Sequence, residues 1–306
     1  MSLTKDKGES NSKIYIKDIT NFKELETFFD GRAEKHGNKY FHYTTMDTLN
    51  RILSNGEIWV SQTKSFNDKK ELNKELHNFA FCLSTGDNEN LSLWYLYSGV
   101  DGKGCRIRFT KKQLELLYKS SKFFLCEKNV PNNEYELIEG ENLTIYLKDV
   151  LYYREKEEVV DLKYNNSVNH QFPLNDFKEF KKTNSAILKD IVWYYEKETR
   201  IEFVVNNKIP LDERKNYIIK IKPQENFIEK LTFQFAPEIN EENLELYLNQ
   251  YDKIKKHFFK NPKFKLSENA GCISMKLRDK CEYRYIKTCD ERKKEKDAEP
   301  KDGAKH

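Results

Sequence analysis

No apolar run in this chain approaches the roughly 18–20 residues that a membrane-spanning helix requires, and the mean hydropathy is −0.87. An excess of one charge is also missing, since 54 basic and 50 acidic residues leave a net charge of +4. With no strongly basic block, a broad electrostatic footprint for nucleic acid is not expected. Six cysteines stand at 82, 105, 126, 272, 281 and 289, and none forms a CxxC pair. No secretory leader is evident, so they read as reduced thiols in a soluble, cytoplasmic protein with no membrane partner. Cys272, Cys281 and Cys289 have no zinc-knuckle spacing and no histidine pair beside them, so no metal centre is expected. There is no Walker-A loop, no GxSxG and no HExxH. P-loop NTPase, lipase and metalloprotease functions are therefore disfavoured.

What the chain does have is aromatic side chains. Only 38% of its 306 residues are hydrophobic, but 20 Phe, 18 Tyr and 3 Trp are among them. Each buried ring removes a large apolar area from water, so relatively few residues can still build a core. Residues 1–12 are polar and read as a loose leader. From 289 to 306 the chain is charged and without large apolar side chains, a tail that cannot bury enough surface to order itself. One domain is expected between 13 and 288.

Strand-like and helix-like patterns alternate irregularly within it. A first helix is expected around Phe22–Phe29, a strand over Tyr40–Tyr43, and a helix from Thr45 as N-cap to Gly56 as its C-terminal stop. Ile58–Val60, Phe79–Leu83, Cys105–Phe109, Leu143–Tyr153 and Tyr217–Ile221 read as strands, as does Leu231–Phe235. Asn67-Asp68 followed by Glu71 resembles a capping box. Leu91–Tyr97 reads as a short aromatic helix ending at Gly99, and Gly102-Lys103-Gly104 as a hairpin turn. A long amphipathic helix is expected to run from Phe177 through Ile187 and Ile191 towards Glu196, and another from Leu244 to Phe258. No internal repeat is present. Strands and helices without βαβ regularity favour an α+β fold with largely antiparallel, split sheets flanked by helices.

Two segments about 150 residues apart concentrate the polar chemistry. In Phe41-His42-Tyr43-Thr44-Thr45, alternation places His42 and Thr44 on one face of a strand. His42 suits a hydrogen bond to a ligand hydroxyl, and equally a half-exposed place at a strand edge. In Trp193-Tyr194-Tyr195-Glu196-Lys197-Glu198-Thr199-Arg200, Glu196 and Glu198 point to similar sides where helix gives way to strand. A carboxylate there could accept from a ribose hydroxyl and stabilise an oxocarbenium-like centre. The blander alternative is a solvated helix end, ion-paired to Arg200 or Lys197. Ser84-Thr85 could line a cleft or cap a turn. Trp94-Tyr95-Leu96-Tyr97 could stack a planar ring, although an aromatic stripe at helical spacing more often fills core.

These stretches resemble a bacterial family catalogued as domain of unknown function 2971. The likeness covers roughly residues 38–260. It rests on Phe41-His42-Tyr43-Thr44-Thr45 with Leu49, Ile52 and Leu53, and on Ser65-Phe66-Asn67-Asp68 with Glu71. Phe81-Cys82-Leu83-Ser84, Leu93-Trp94-Tyr95-Leu96-Tyr97 with Gly104, and the segment 193–200 complete it. Residues 110–180 depart from the pattern as an Asn- and Lys-rich expansion. The strand–helix opening is also similar to ADP-ribosyltransferases that act on nucleic acid and to RNA 2′-phosphotransferases. That likeness implies an ADP-ribosyltransferase-like fold and NAD as co-substrate. It implies that His42 and Thr44 hold the NAD ribose, that Glu198 is catalytic with Glu196 beside it, and that Tyr43 or Tyr95 stacks on nicotinamide; Ser84, if it lines the cleft, would join the cofactor-binding residues. The implied activity is transfer of ADP-ribose to a nucleic-acid or protein acceptor in bacterial stress or phage defence. The alternative is a binding module for nucleic acid or protein that keeps the fold without the chemistry.

Overall fold

The computed structural model describes residues 19–29, 39–66, 76–86, 89–99, 102–128, 130, 136–164, 170–260 and 264–270. The proposed capping box at Asn67, Asp68 and Glu71, the leader, the charged tail, and Cys272, Cys281 and Cys289 lie outside them.

In chain order the elements are α1 (Phe22–Phe29), β1 (Tyr40–Thr45), α2 (Met46–Asn55), β2 (Ile58–Gln62), β3 (Asn78–Thr85) and α3 (Leu91–Tyr97). Then come β4 (Gly104–Phe109), α4 (Lys111–Ser120), β5 (Lys122–Glu127), β6 (Glu136–Ile138), β7 (Leu143–Asp149), β8 (Leu151–Glu155), β9 (Val159–Lys163) and β10 (His170–Pro173). The last are α5 (Leu174–Asn184), β11 (Leu188–Asp190), β12 (Glu198–Val205), β13 (Tyr217–Lys222), β14 (Thr232–Phe235), α6 (Leu244–Gln250), α7 (Asp252–Lys260) and β15 (Phe264–Lys265). Helices and mostly antiparallel strands make this an α+β protein. Among the described residues no helix is long and apolar enough to cross a membrane.

The chain divides into two compact units, one drawn from 1–40, 57–87 and 109–225, the other from 41–56, 88–108 and 226–306. In the first, β7, β12, β3, β2, β13, β5 and β6 pair in that order, every pair antiparallel. A second sheet, β10-β9-β8-β11, is antiparallel except for the parallel pair β11–β8. Leu25, Phe28, Leu151, Val160, Leu162, Phe172, Phe177, Phe180 and Leu188 form a core that joins α1 and α5 to this smaller sheet. Val150 alone separates β7 from β8, so the chain changes sheets within one residue.

In the other unit β15-β14-β4-β1 are neighbours, with β14 antiparallel to β4 and parallel to β15. Its helices are α2, α3, α6 and α7. α2 begins and ends as its sequence dictates: the Thr45 hydroxyl accepts from the Thr48 N–H, and Gly56 turns left-handed at φ 68°. Gly104 opens β4 where a side chain has no room, since a Cβ would lie 2.4 Å from the Thr44 carbonyl oxygen and 2.6 Å from Ser98 Cα.

Three sequence expectations need correction. The long helix towards Glu196 ends instead at Asn184, where Asn184 Nδ2 and the Thr183 hydroxyl both donate to the Phe180 carbonyl. Such local side-chain bonds compete with helix continuation. The apolar residues beyond them serve a 3-10 turn, the short strand β11 and a second 3-10 turn over Ile191–Glu196. The Leu143–Tyr153 run is two strands in two sheets. The 244–258 helix is likewise two, broken at Tyr251 with φ −135° and ψ 84°.

Candidate functional site

The residues expected to form one site are distributed over both units. Ser84, Glu196 and Glu198 belong to the first, and His42, Tyr43, Thr44 and Tyr95 to the second.

In the first unit Glu196 closes the 3-10 turn and Glu198 opens β12. Between them Lys197 takes a left-handed conformation, φ 45° and ψ 54°, which costs an L-residue about 1–2 kcal/mol. The turn is held from outside. The Ser84 hydroxyl donates to the Glu196 carbonyl at 2.7 Å, and the Thr85 N–H and hydroxyl both donate to the Lys197 carbonyl at 3.0 Å. Ser84, expected to line a cleft, here clamps the backbone of the acidic pair.

Both carboxylates converge on Lys189. Its ammonium bonds Glu196 Oε2 and lies 3.2 Å from Glu198 Oε2. Arg200 grips Glu198 with two prongs, Nε to Oε1 at 2.8 Å and Nη2 to Oε2 at 3.0 Å, while its Nη1 donates to the Ala186 carbonyl. The Tyr152 hydroxyl accepts the Glu198 N–H at 2.8 Å. Lys189, Glu196, Glu198 and Arg200 are all buried. Burial opposes ionisation of Glu198, but Arg200 and then Lys189 outweigh it and hold the carboxyl well below the usual carboxylate range. Burial, reinforced by the Glu198 charge, pushes the Cys82 thiol and the Tyr152 phenol well up, so both stay protonated. Two carboxylates and two cations balance, and removing any one of them would leave an uncompensated buried charge.

Asp149, at the end of β7, supports this cluster from behind. It accepts from the Thr199 hydroxyl at 2.7 Å and the Tyr164 hydroxyl at 2.5 Å. The main chain closes the seam, with the Val150 N–H donating to the Glu198 carbonyl at 3.0 Å.

In the second unit Tyr43 is buried, its ring meeting Trp94 edge-on at 4.8 Å between centroids. Its hydroxyl accepts from Arg106 Nη1 at 3.2 Å and from the Asn90 N–H at 3.3 Å. Arg106 lies 4.3 Å above the Phe41 ring and donates to Gln234 Oε1 at 2.7 Å. It is 4% exposed, an internal cation rather than a surface contact for a polyanion. The hub is Glu89, which accepts from Trp94 Nε1 at 3.1 Å, Gln234 Nε2 at 2.7 Å, the Glu268 N–H at 2.8 Å and the Ser267 hydroxyl. Thr44 is buried, while His42 and Tyr95 are half-buried.

No family model, no curated protein and no solved structure matches this chain. Its chemistry therefore has to be argued from its own residues. Sequence reasoning missed Lys189, Tyr152, Asp149 and Glu89. Leu188-Lys189-Asp190 carried no signal for Lys189, because two successive polar residues break the alternation of a strand. Arg200 was considered only as a solvated partner of the glutamates, and it is 1% exposed. Among the described residues no group of three His, Cys, Asp or Glu side chains could hold a metal ion.

Proposed function

We propose that this chain transfers ADP-ribose from NAD to a macromolecular acceptor, with Glu198 as the charge-stabilising carboxylate and Glu196 beside it. The observation that carries the proposal is the convergence of two buried glutamates on one ammonium at a strand opening. Burying two carboxylates costs several kcal/mol each, which apolar residues of similar volume would avoid. A fixed, ionised carboxylate is what a developing ribosyl cation needs, because nothing has to reorganise as charge appears. Arg200 would orient Glu198, and Lys189 would withdraw towards Glu196 when substrate enters. Its 3.2 Å contact to Glu198 is the longest of that carboxylate's ion-pair contacts to Lys189 and Arg200. By the sequence likeness, His42 and Thr44 would hold the NAD ribose and Tyr95 a planar ring.

A specific observation favours a second function. Both Glu198 oxygens are engaged and the cluster is charge-balanced, which suits a binding module that keeps the fold without the chemistry. The deciding experiment is nicotinamide release from NAD by purified protein, alone and with RNA, DNA or protein acceptors, beside Glu198→Gln and Glu196→Gln. Melting curves with and without NAD control for folding. Release that disappears in a folded Glu198→Gln variant supports the transferase. No release and no NAD-dependent shift in melting temperature supports the binding module.

A further inference from the structure

The 3-10 turn Ile191–Glu196 presents three consecutive aromatic residues, Trp193, Tyr194 and Tyr195, all half-buried, beside a 59% exposed Val192. The turn is stiff. The Asp190 side chain accepts from the Val192 N–H at 3.1 Å, and the Lys197 N–H donates to the Tyr194 carbonyl at 3.3 Å. The Trp193 and Tyr195 rings lie 6.1 Å apart at 47°. Tyr194 stands edge-on to Tyr152 and carries the Lys163 ammonium 3.8 Å from its ring centroid. Burial, then the charge of Glu196, pushes the Tyr195 phenol up to about 12, so it remains neutral.

Charge on this segment is sorted by depth. Lys189, Asp190, Glu196, Glu198 and Arg200 are all buried, and between 189 and 200 the charged side chain left exposed is that of Lys197. Solvent therefore meets rings and a lysine here, while the acids face inward. Aromatic faces stack any base without regard to sequence, and interspersed cations track the phosphates.

We propose that the Trp193–Tyr195 turn binds single-stranded nucleic acid, with bases stacking on Trp193 and Tyr195 and phosphates against Lys163 and Lys197. It rests on the transferase only in naming that enzyme's acceptor, because strand binding itself needs no catalysis. Glu196 directly follows Tyr195 in the chain, and Glu198 lies two residues further on.

The test is anisotropy of labelled uridine and thymidine homo-oligomers across a salt series. Trp193→Leu should weaken binding about 5- to 150-fold, the range for losing one stacked base. Trp193→Tyr should retain most of it. Lys197→Ala should reduce the slope of log K against log salt by about 0.7, the release expected for one phosphate contact on a single strand. Unchanged binding in Trp193→Leu, or an unchanged salt slope in Lys197→Ala, overturns the proposal, as does labelling of a protein acceptor with no oligomer affinity. Should Trp193→Leu fail to fold by melting curve, Trp193→Tyr and Lys197→Ala decide alone. Trp193-dependent oligomer binding without nicotinamide release would keep this surface and sink the transferase, and release without oligomer binding would do the reverse.

Discussion

The two units bury charge in opposite ways. Around Glu198 two carboxylates meet two cations within a few ångströms, and each charge depends on a specific partner. Around Glu89 one carboxylate is spread over neutral donors from Trp94, Gln234, Ser267 and the Glu268 backbone, and its nearest cation contact, to Arg106, is 3.9 Å. The first arrangement is intolerant of losing a member. The second distributes its loss over many bonds. Chemistry that depends on charge belongs in the first, and the second reads as a structural hub that ties residues 267–269 to the strand edge.

Substitutions sharpen that contrast. Arg200→Ala strands a buried carboxylate beside a lysine with two glutamates, and should cost about 3–5 kcal/mol in a denaturant titration. Glu89→Gln removes a charge and keeps one acceptor oxygen, leaving the donors of the other oxygen facing an NH2, and should cost less, about 1–3 kcal/mol. A larger loss for Glu89→Gln than for Arg200→Ala would undo the comparison.

Acid titration probes the Glu198 cluster directly. The folded Glu198 carboxyl lies below its ordinary value of 4.5, so its contribution to stability is complete above that value and is lost as pH falls below it. Between the two values the unfolded chain binds the extra proton. Replacing Glu198 with Gln should flatten the acid limb of stability against pH by up to about 1.4 kcal/mol per pH unit. An unaltered limb would mean that other carboxyls carry the acid sensitivity.

The smallest effect is expected at Lys197. Glycine adopts φ 45° without strain, so Lys197→Gly should leave stability within about 1 kcal/mol of the original while keeping the carboxylates convergent. Lys197→Val, whose branched side chain resists that conformation, should lose more. Equal stabilities for the two variants would show that the backbone there relaxes freely.

Much of the local structure was legible in the chain. Thr45 and Gly56 bracket α2 because a hydroxyl acceptor and a left-handed residue are what helix ends require. The strand at Cys105 announced itself by alternation, that at Phe79 as a short buried apolar run, and that at Tyr217 by its isoleucines. The 177–196 stretch was misleading because helical spacing of apolar residues continues by chance across Asn184-Ser185. The Thr183 and Asn184 side chains end the helix there, and pairing of β11 with β8 overrides periodicity. Glu196 and Glu198 were found as a motif, but their partners come from Lys189, Arg200 and Tyr152, and no spacing rule connects residue 152 to residue 198. The hub at Glu89 was invisible for the same reason, since its donors lie as far away as Gln234 and Ser267.

The passage of the chain at Val150 has a mechanical consequence. Lys189 rides on the small sheet and Glu198 on the large one, while the Val150 N–H of the connection and the Tyr152 hydroxyl of β8 hold the Glu198 main chain. A displacement of one sheet against the other would therefore change the Lys189–Glu198 distance. The charge balance at Glu198 is thus set by residues of both sheets rather than by its own strand alone.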